Sequence, residues 1–205
     1  APRVDVHLLG TEKKIFDAIR GCLKANDLKT TVRVAGGWVR DKCLGLSSDD
    51  IDLSLDDIKG AEFGEFLNRY LKSKGHQIHG IGVIKSNPDK GKMVTTATTK
   101  AFGVSLDVNE LRSRGKAVAS PSTDAFLRDL TINGLFYNIN TNSVEDPTGM
   151  GLKDLRDKVL RLPLDGAQTF IDDPLRIVRA VRFKQRFGFS FHPSLVRAAK
   201  TPAVA

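Results

Sequence analysis

Residues 32–55 read VRVAGGWVRDKCLGLSSDDIDLSL and predict a strand, a glycine turn, a short helix and a second strand in direct succession. The alternating apolar residues that open this stretch indicate the first strand. Gly36 and Gly37 follow without side chains, which leaves room for an anion beside the backbone amides of a helix beginning near Trp38. The turn can therefore form a phosphate site, but a Gly-Gly pair by itself is more typical of an ordinary strand-to-helix connection.

A cation and two carboxylates follow the glycine turn. Arg40 lies one helical turn further on and carries a planar guanidinium that suits the oxygens of a triphosphate. Asp50 and Asp52 alternate with apolar residues, as in a half-buried strand, and therefore share one face of it. Two such carboxylates, about 7 Å apart, repel each other, and a hard divalent cation offsets the repulsion. We interpret the combination as a nucleotide site with Mg²⁺ as its natural metal.

A third carboxylate, Asp107, lies in a strand that the alternation predicts over residues 103–109. In that strand Leu106 and Val108 point inward, and Asp107 points outward. Asp107 is therefore free to join the carboxylate face, but a single outward Asp on a strand is also typical of an ordinary surface residue. Its sequence neighbours leave both interpretations open.

The rest of the chain predicts packing elements around this centre. Helices are indicated by apolar spacing at residues 11–28 and 63–75, and by a Pro-Ser-Thr start at residues 121–133. Strands are indicated at residues 81–84, 93–99, 103–109 and 135–140. This order of helices and short strands predicts a mixed α+β fold.

The composition excludes several classes of protein. The 205 residues include 32 Lys and Arg against 24 Asp and Glu, a net charge of +8, which favours a polyanionic partner such as RNA, DNA or a nucleotide. Cys22 and Cys43 each lie in a helical pattern, so neither a disulfide framework nor a cysteine metal site is indicated. No apolar run reaches membrane-spanning length and no secretory signal opens the chain, so we expect an intracellular protein without a membrane partner.

The end of the chain predicts a basic helix, because no acidic residue follows Asp173. Arg176, Arg179 and Arg182 recur at every third position and form a stripe that suits a polyphosphate or RNA backbone better than a merely solvated surface. The other side of the same helix is apolar and consists of Leu175, Val178, Val181 and Phe183.

Asp173 and Arg176 stand three residues apart and lie on one helical face, where they can form a simple salt bridge. A sharper interpretation is a nucleobase reader, in which the carboxylate accepts from an exocyclic amine and the guanidinium donates to the adjacent ring acceptor. Cytosine and adenine offer that pattern. Uracil and guanine instead present a carbonyl acceptor to Asp173 and a ring N–H donor to Arg176, which leaves these groups unpaired. Arg128, on the preceding helix, either reaches a phosphate or pairs with an acid.

Four motifs together resemble a known family. AGGWVRDKCLG with DDIDL, RDLTING, DPTGMGLKDL and DDPLRIVRAVRF are similar, in this order, to the first three motifs and the base-recognition motif of class II tRNA nucleotidyltransferases, or CCA-adding enzymes, and of bacterial poly(A) polymerases. SNPDKGK, TTATTKAFGV and LDVNELRS resemble the eukaryotic branch. The resemblance implies a polymerase β-like nucleotidyltransferase head over residues 1–163, with a small mixed sheet and packing helices. An α-helical neck would begin in residues 164–205, without the family's body and tail domains.

The resemblance also implies a role for each candidate residue. Asp50, Asp52 and Asp107 would be the catalytic carboxylates, and the first two would hold Mg²⁺. The nucleotide would be bound by Gly36, Gly37, Arg40, Arg128, Asp173, Arg176, Arg179 and Arg182. Leu127 departs from the pattern, because the family usually has a second arginine there.

The implied reaction adds CMP and AMP from CTP and ATP to the 3′ end of tRNA without a template. The implied partners are therefore the tRNA 3′ end, CTP and ATP. A poly(A) polymerase of the same superfamily is the nearest alternative. A catalytically silent RNA-binding fragment is an alternative from a different class.

Overall fold

A mixed β-sheet flanked by helices is the centre of the fold, as the alternation of predicted strands and helices indicates. The computed structural model describes residues 6–48, 50–86, 95–113 and 118–204. The helices are α1 (Gly10–Ala25), α2 (Gly37–Cys43), α3 (Gly60–Ser73), α4 (Pro121–Phe126), α5 (Gly151–Asp157), α6 (Gln168–Asp172), α7 (Leu175–Phe187) and α8 (Pro193–Ala199). The strands are β1 (Val32–Ala35), β2 (Ile51–Leu55), β3 (Gly82–Ile84), β4 (Thr96–Ala101), β5 (Val104–Glu110), β6 (Phe136–Asn138), β7 (Ser143–Glu145), β8 (Val159–Leu160) and β9 (Ser190–Phe191).

The main sheet has the strand order β3-β4-β5-β2-β1-β6-β7. Strands β2 and β5 run parallel, and the other neighbours in this sheet are antiparallel. Every residue of β1 is buried. The α+β class and the mixed sheet predicted from the sequence are therefore confirmed.

The chain forms two compact units. The described residues within 1–112 and 136–145 form the first unit, which contains the main sheet and α1 to α3. The described residues within 113–135 and 146–205 form the second unit, with α4 to α8 and the parallel pair β8 and β9. The head and neck ranges 1–163 and 164–205 follow the family's organisation and stay a prediction.

Most predicted elements are present, with ends displaced by a few residues. Of the predicted strand at 93–99, residues 93 and 94 lie outside the described residues, and so does most of the SNPDKGK loop. Among the described residues, no helix combines the length and the apolar character that a membrane span requires.

A buried carboxylate joins α1 to α2. The Oε1 atom of Glu12 accepts a hydrogen bond of 2.9 Å from Nε1 of Trp38, and Oε2 accepts one of 2.7 Å from the amide of Leu9. Oε2 also lies 2.8 Å from Nζ of Lys42, and the side chains of Lys42 and Glu12 are each only 6% exposed. The start of α1 is thereby attached to both ends of α2, the helix that follows the glycine turn.

Three aromatic rings extend this connection to the sheet. Phe16 on α1 and Trp38 on α2 meet edge to face, with their centroids 5.6 Å apart. Tyr137 on β6 lies within 5.7 Å of Phe16 and 5.6 Å of Trp38, measured between ring centroids. The cluster fixes α1 and α2 against the same part of the sheet.

The predicted helix over residues 121–133 is wrong beyond Phe126, where α4 ends. Oδ1 of Asp129 accepts from the amide of Leu130 at 2.9 Å and from Nδ2 of Asn133 at 2.8 Å. A short 3₁₀ helix, Thr131–Asn133, replaces the last predicted turn. The side chain of Asp129 thus offers the backbone a bond that competes with the helical pattern.

The apolar side of α7 is largely exposed. Leu175, Val178 and Val181 are 68%, 64% and 54% exposed, whereas Ala180 and Phe183 are buried. The reason is that the neighbouring face carries Arg176 and Arg179, which are hydrogen-bonded inside the second unit. Those bonds hold Arg176 and Arg179 against the second unit, while the three aliphatic side chains face solvent.

Replacing Glu12 with alanine should lower the free energy of unfolding by about 3–5 kcal/mol, because Lys42 is left as a buried charge without its carboxylate. Glu12→Gln should cost less, since the amide oxygen can still accept from Trp38. Urea unfolding followed by the fluorescence of the single tryptophan, Trp38, measures both effects. The matched control is Glu62→Ala, an exposed acid in the first turn of α3. Equal losses in the two alanine variants would contradict the role of Glu12.

Candidate functional site

The register of two parallel strands brings two predicted catalytic carboxylates together. Asp52 on β2 is the direct neighbour of Asp107 on β5. Asp52 is exposed between the buried residues Ile51 and Leu53, and Asp50, just before the strand, is exposed as well. The three carboxylates therefore lie on the face of the sheet that the apolar side chains of these strands leave free.

Asp107 is held in place by the next strand. Its Oδ1 accepts a hydrogen bond of 2.7 Å from Oγ1 of Thr98 on β4, directly opposite in the antiparallel pair. Leu106 and Val108 on either side are fully buried, as predicted. The structure thus favours the interpretation of Asp107 as a member of the carboxylate face, and Thr98 is a support that the sequence did not reveal.

The donors on this face suit a hard cation. Carboxylate oxygens are what Mg²⁺ prefers, and it is commonly bound through one or two carboxylates together with water and substrate phosphates. In the described ranges, no three His, Cys, Asp or Glu side chains converge closely enough to enclose a metal ion. A metal ion held by Asp50 and Asp52 would therefore need further ligands from water or substrate, and Mg²⁺ at this face stays a prediction.

The glycine turn requires glycine at its first position. Gly36 has φ 67° and ψ −116°, a backbone conformation that side chains other than hydrogen disfavour, and it caps α2. The helix begins at Gly37, one residue earlier than predicted, and the Gly36 carbonyl accepts from the amide of Arg40 at 3.1 Å. The turn predicted from the sequence is therefore present between β1 and α2.

Arg40 lies beneath the turn rather than in solvent. Its side chain is 5% exposed, and Nε donates to Oδ1 of Asp41 at 2.8 Å. A Cβ atom added at Gly37 would lie 3.6 Å from Nη2 of Arg40. The guanidinium therefore supports the turn from the protein side, and its contact with a triphosphate stays a prediction.

The second unit holds the predicted base reader. Nη1 of Arg176 donates to Oγ1 of Thr169 at 2.5 Å, and Nη2 donates to the backbone carbonyl of Leu127 at 2.9 Å. Nε of Arg176 is 3.7 Å from Oδ2 of Asp173, so the salt bridge between them is a loose one. Because Leu127 contributes through its backbone, its departure from the family pattern leaves this contact intact.

Asp173 stands at the start of α7. Its Oδ1 accepts from the amide of Leu175 at 3.1 Å, and its side chain is 45% exposed. The carboxylate is thus oriented by the helix and still open to solvent. A half-exposed acceptor beside a fixed guanidinium is the arrangement that base recognition needs.

Arg179 pairs with a buried acid that the sequence did not single out. Its Nε donates to Oδ2 of Asp129 at 2.7 Å. Burial would raise the pKa of Asp129, but the charge of Arg179 and the hydrogen bonds from Asn133, Arg179 and the Leu130 amide outweigh it and lower that pKa below its usual value. Asp129 therefore stays ionised and holds Arg179 in one direction.

Arg128 and Arg182 differ in how strongly contacts within the protein hold their side chains. Nε of Arg128 donates to Oδ1 of the buried Asp124 at 2.7 Å, and Nη1 donates to the carbonyl of Asn133 at 3.3 Å. The guanidinium carbon of Arg182 lies 5.4 Å from the centroid of the Phe183 ring, and within the described ranges this arginine forms no ion pair. Arg128 thus pairs with an acid, its contact with a nucleotide stays a prediction, and Arg182 remains available to an anion.

Each group of predicted residues belongs to one unit. The first unit contains the carboxylates and the glycine turn with Arg40, and the second contains Arg128, the arginines of α7 and Asp173. The sequence missed the acids that hold the arginines. Asp41 directly follows Arg40, and that adjacency was the available signal for their ion pair, whereas Asp129 and its partner Arg179 are 50 residues apart in sequence.

Comparison with known proteins places this chain among nucleotidyltransferases. Residues 32–161 match the family described as the Poly A polymerase head domain. The mitochondrial CCA tRNA nucleotidyltransferase of Saccharomyces cerevisiae is 44% identical over 187 residues, which cover 85% of this chain and 34% of the yeast protein.

Two solved structures show the same similarity. An apo tRNA-processing enzyme superposes with a TM-score of 0.73 at 29% identity, covering 95% of this chain and 47% of that one. A CCA-adding enzyme in complex with ATP superposes with a TM-score of 0.69 at 29% identity, covering 90% and 40%. The chain thus spans about a third of the yeast relative and less than half of either structure.

Asp129→Asn should destabilise the second unit by about 1–3 kcal/mol near neutral pH, because Arg179 loses a charged acceptor and a buried group is left poorly paired. The pKa of Asp129 in the folded state lies below its usual 3.8. The contribution of Asp129 to the free energy of unfolding is therefore fully present above pH 3.8 and is lost as the pH falls through the folded-state pKa. Urea unfolding followed by helical circular dichroism over an acid pH series should show wild type and variant converging at low pH. The control is Asp165→Asn, at an exposed acid. A stability difference between wild type and Asp129→Asn that does not change with pH would contradict the role of the ionised Asp129.

Proposed function

This chain belongs to the class II tRNA nucleotidyltransferases, within the family of the Poly A polymerase head domain, and from that membership we propose that it adds CMP and AMP from CTP and ATP to the 3′ end of tRNA without a template. The single observation that carries the proposal is the register of Asp52 with Asp107 beside the exposed Asp50. Because the chain spans only part of its relatives' length, the whole reaction is a proposal for this chain.

The proposed reaction is an in-line displacement at phosphorus. The 3′ hydroxyl oxygen of the RNA attacks the α-phosphate of CTP or ATP, a new phosphodiester bond forms, the bond to the β-phosphate breaks, and pyrophosphate leaves. The hydroxyl proton leaves to water or a neighbouring base. Asp50, Asp52 and Asp107 would present negative oxygens at the place where the hydroxyl must lose its proton.

Asp50 and Asp52 would hold Mg²⁺, which supplies positive charge that makes the hydroxyl more acidic and neutralises phosphate oxygens. Both side chains are exposed and therefore accessible to the ion and to the substrate. Asp107, oriented by Thr98, would complete the negative face. The fixed direction of Asp107 reduces the reorganisation that substrate binding demands.

The glycine turn would receive the triphosphate. Gly36 and Gly37 leave the start of α2 without side chains, and the buried Arg40 adds a positive charge beneath it. A charge held in a buried position acts on a nearby anion with little screening by water. Arg40 would therefore strengthen phosphate binding through the field at the turn.

Asp173 and Arg176 would read the base. The carboxylate of Asp173 would accept from the exocyclic amine of cytosine or adenine, and Arg176 would donate to the neighbouring ring acceptor. The bonds of Arg176 to Thr169 and to the Leu127 carbonyl support this role, because they fix the direction of its guanidinium. Uracil and guanine would leave both groups unpaired.

The other arginines would act on phosphates in different ways. Arg179 is 46% exposed while it is held by Asp129, so it can meet an anion without losing its orientation. Arg182, which has no ion pair among the described residues, would contribute a more flexible charge. Arg128, bound to Asp124, would contribute mainly by supporting the segment that carries Asp129.

A poly(A) polymerase is the second candidate, because the matching family takes its name from that enzyme. Incubating the chain with tRNA that lacks its terminus and with labelled ATP or CTP separates the two: a poly(A) polymerase extends with ATP alone, whereas the proposed enzyme needs CTP first. As the yeast relative is a mitochondrial enzyme by name, we also propose an intracellular location.

Asp52→Asn should reduce nucleotide addition about a thousandfold while the melting temperature stays unchanged, because the side chain keeps its size and loses only its charge. Labelled CTP and ATP incorporation in single-turnover reactions measures the loss. Asp57→Asn, an exposed acid two residues beyond β2, is the matched control and should remain active. Full activity of the Asp52 variant, or its unfolding, would refute the proposed role.

Asp173→Ala should weaken CTP and ATP binding together, each by about 1–3 kcal/mol, because both bases lose the acceptor for their amine. UTP binding should change little. The substitution also removes the acceptor for the Leu175 amide, so Asp173→Ser, which restores a capping oxygen without the charge, is the companion variant. Equilibrium titration of each nucleotide is the measurement, with Asp165→Ala as control. If the variant loses affinity for only one of CTP and ATP, a base-recognition site shared by the two nucleotides is contradicted.

A further inference from the structure

A cleft between α1 and α3 lies apart from the carboxylate face. It has a volume of about 520 Å³ and is lined by Lys14, Asp17, Ala18, Tyr70, Lys74, His76 and Phe102, all in the first unit. Helix α3 packs on the face of the sheet that carries Ala97, whose Cβ lies 3.3 Å from a Cβ built at Gly60. Asp107 points to the opposite face. The cleft, named here the α1–α3 cleft, is therefore a separate site of ligand size.

The α1–α3 cleft carries unneutralised positive charge. Lys14, Lys74 and His76 are all exposed, and none of them has an acidic partner among the residues that the structure describes. The one carboxylate in the lining, Asp17, is bound to Arg20 at 2.5 Å. The two lysines are thus left to attract an anion.

Aromatic rings lie beside these charges. A Cβ at Gly21 would lie 2.1 Å from the hydroxyl of Tyr70, so only glycine allows that ring to lie against α1. The Nζ atom of Lys74 is 5.6 Å from the centroid of the Tyr70 ring. The rings of His76 and Phe102 meet edge to face at 4.9 Å. Planar rings interleaved with cations are typical of surfaces that bind nucleotides.

Phe102 occupies an unfavourable place in its turn. It forms, with Gly103, the two-residue connection between β4 and β5, where the two residues have φ 52° and 83°. Such turns favour Asn, Asp or Gly at the first of these positions, because other side chains rarely adopt positive φ. Turn formation therefore does not account for a phenylalanine here, and its ring beside the cleft suggests a binding role.

We propose that the α1–α3 cleft binds a nucleoside phosphate, either as one nucleotide of an RNA strand or as a free nucleotide. The phosphate lies among Lys14, Lys74 and His76, and the base stacks on Phe102. This binding does not depend on the reaction at the carboxylate face, so the two can be tested separately.

Phe102→Asn separates binding from folding. Asparagine suits the turn better than phenylalanine, so the variant should melt at the same temperature as wild type or higher. Removal of the ring should weaken binding at the cleft about tenfold. The probe is a fluorescein-labelled cytidine hexanucleotide, followed by anisotropy. A variant that is more stable and binds equally well would overturn the proposal.

Charge-matched pairs of variants distinguish binding at the cleft from attraction by the overall positive charge of the protein. Lys14→Gln and Lys74→Gln should each weaken binding and lower the slope of log affinity against log salt by about 0.7. Lys13→Gln and Lys72→Gln remove the same charge from exposed residues close to Lys14 and Lys74 in sequence, outside the lining. Equal effects in both pairs would overturn the proposal.

Photo-crosslinking locates the bound RNA directly, which separates the cleft from binding by the arginines of α7. Ultraviolet crosslinks of the hexanucleotide should map by mass spectrometry to peptides containing Tyr70 or Phe102, and their absence would overturn the proposal. CMP and AMP should compete for these crosslinks if free nucleotides bind, whereas competition by oligonucleotides alone identifies an RNA strand as the ligand. Inorganic phosphate competing as well as CMP would overturn base stacking.

Discussion

The buried carboxylate of Glu12 is the interaction on which the first unit depends. It receives the indole of Trp38, the ammonium of Lys42 and the amide of Leu9, so one side chain fixes the beginning of α1 and both turns of α2. Because α2 begins directly after Gly36, the position of the glycine turn follows from this contact. A buried acid with three donors is stable only when all three are in place, which makes the arrangement cooperative.

Three of the arginines expected to bind phosphate are each held by a carboxylate of the protein. Arg40 is bound by Asp41, Arg128 by Asp124 and Arg179 by Asp129. An arginine that is already oriented loses less side-chain entropy when an anion arrives. The paired acid also reduces the net charge that each arginine presents. The paired arginines therefore bind an anion in a defined direction, but they attract a distant anion less strongly.

Sequence reasoning succeeded where a pattern is local. The alternation around Asp50 and Asp52 and around Asp107 predicted correctly which side chains leave the core, because strand periodicity depends only on the backbone. It could not pair Asp52 with Asp107, since a parallel neighbour is chosen by contacts between distant segments. The end of α4 was missed for a related reason. Asp129 forms hydrogen bonds with Asn133 and Arg179 that compete with the helical conformation, and helix propensities do not include such bonds.

The orientation of α7 has a consequence for the behaviour of the protein in concentrated solution. Leu175, Val178 and Val181 present aliphatic surface to water, and the sequence around them is rich in arginine and lysine. At low ionic strength, like charges keep two such helices apart. In about 1 M salt the Debye length shrinks to about 3 Å, and the repulsion no longer opposes apolar contact. Colloidal stability should therefore be greatest in dilute buffer, and salting out should begin at this helix.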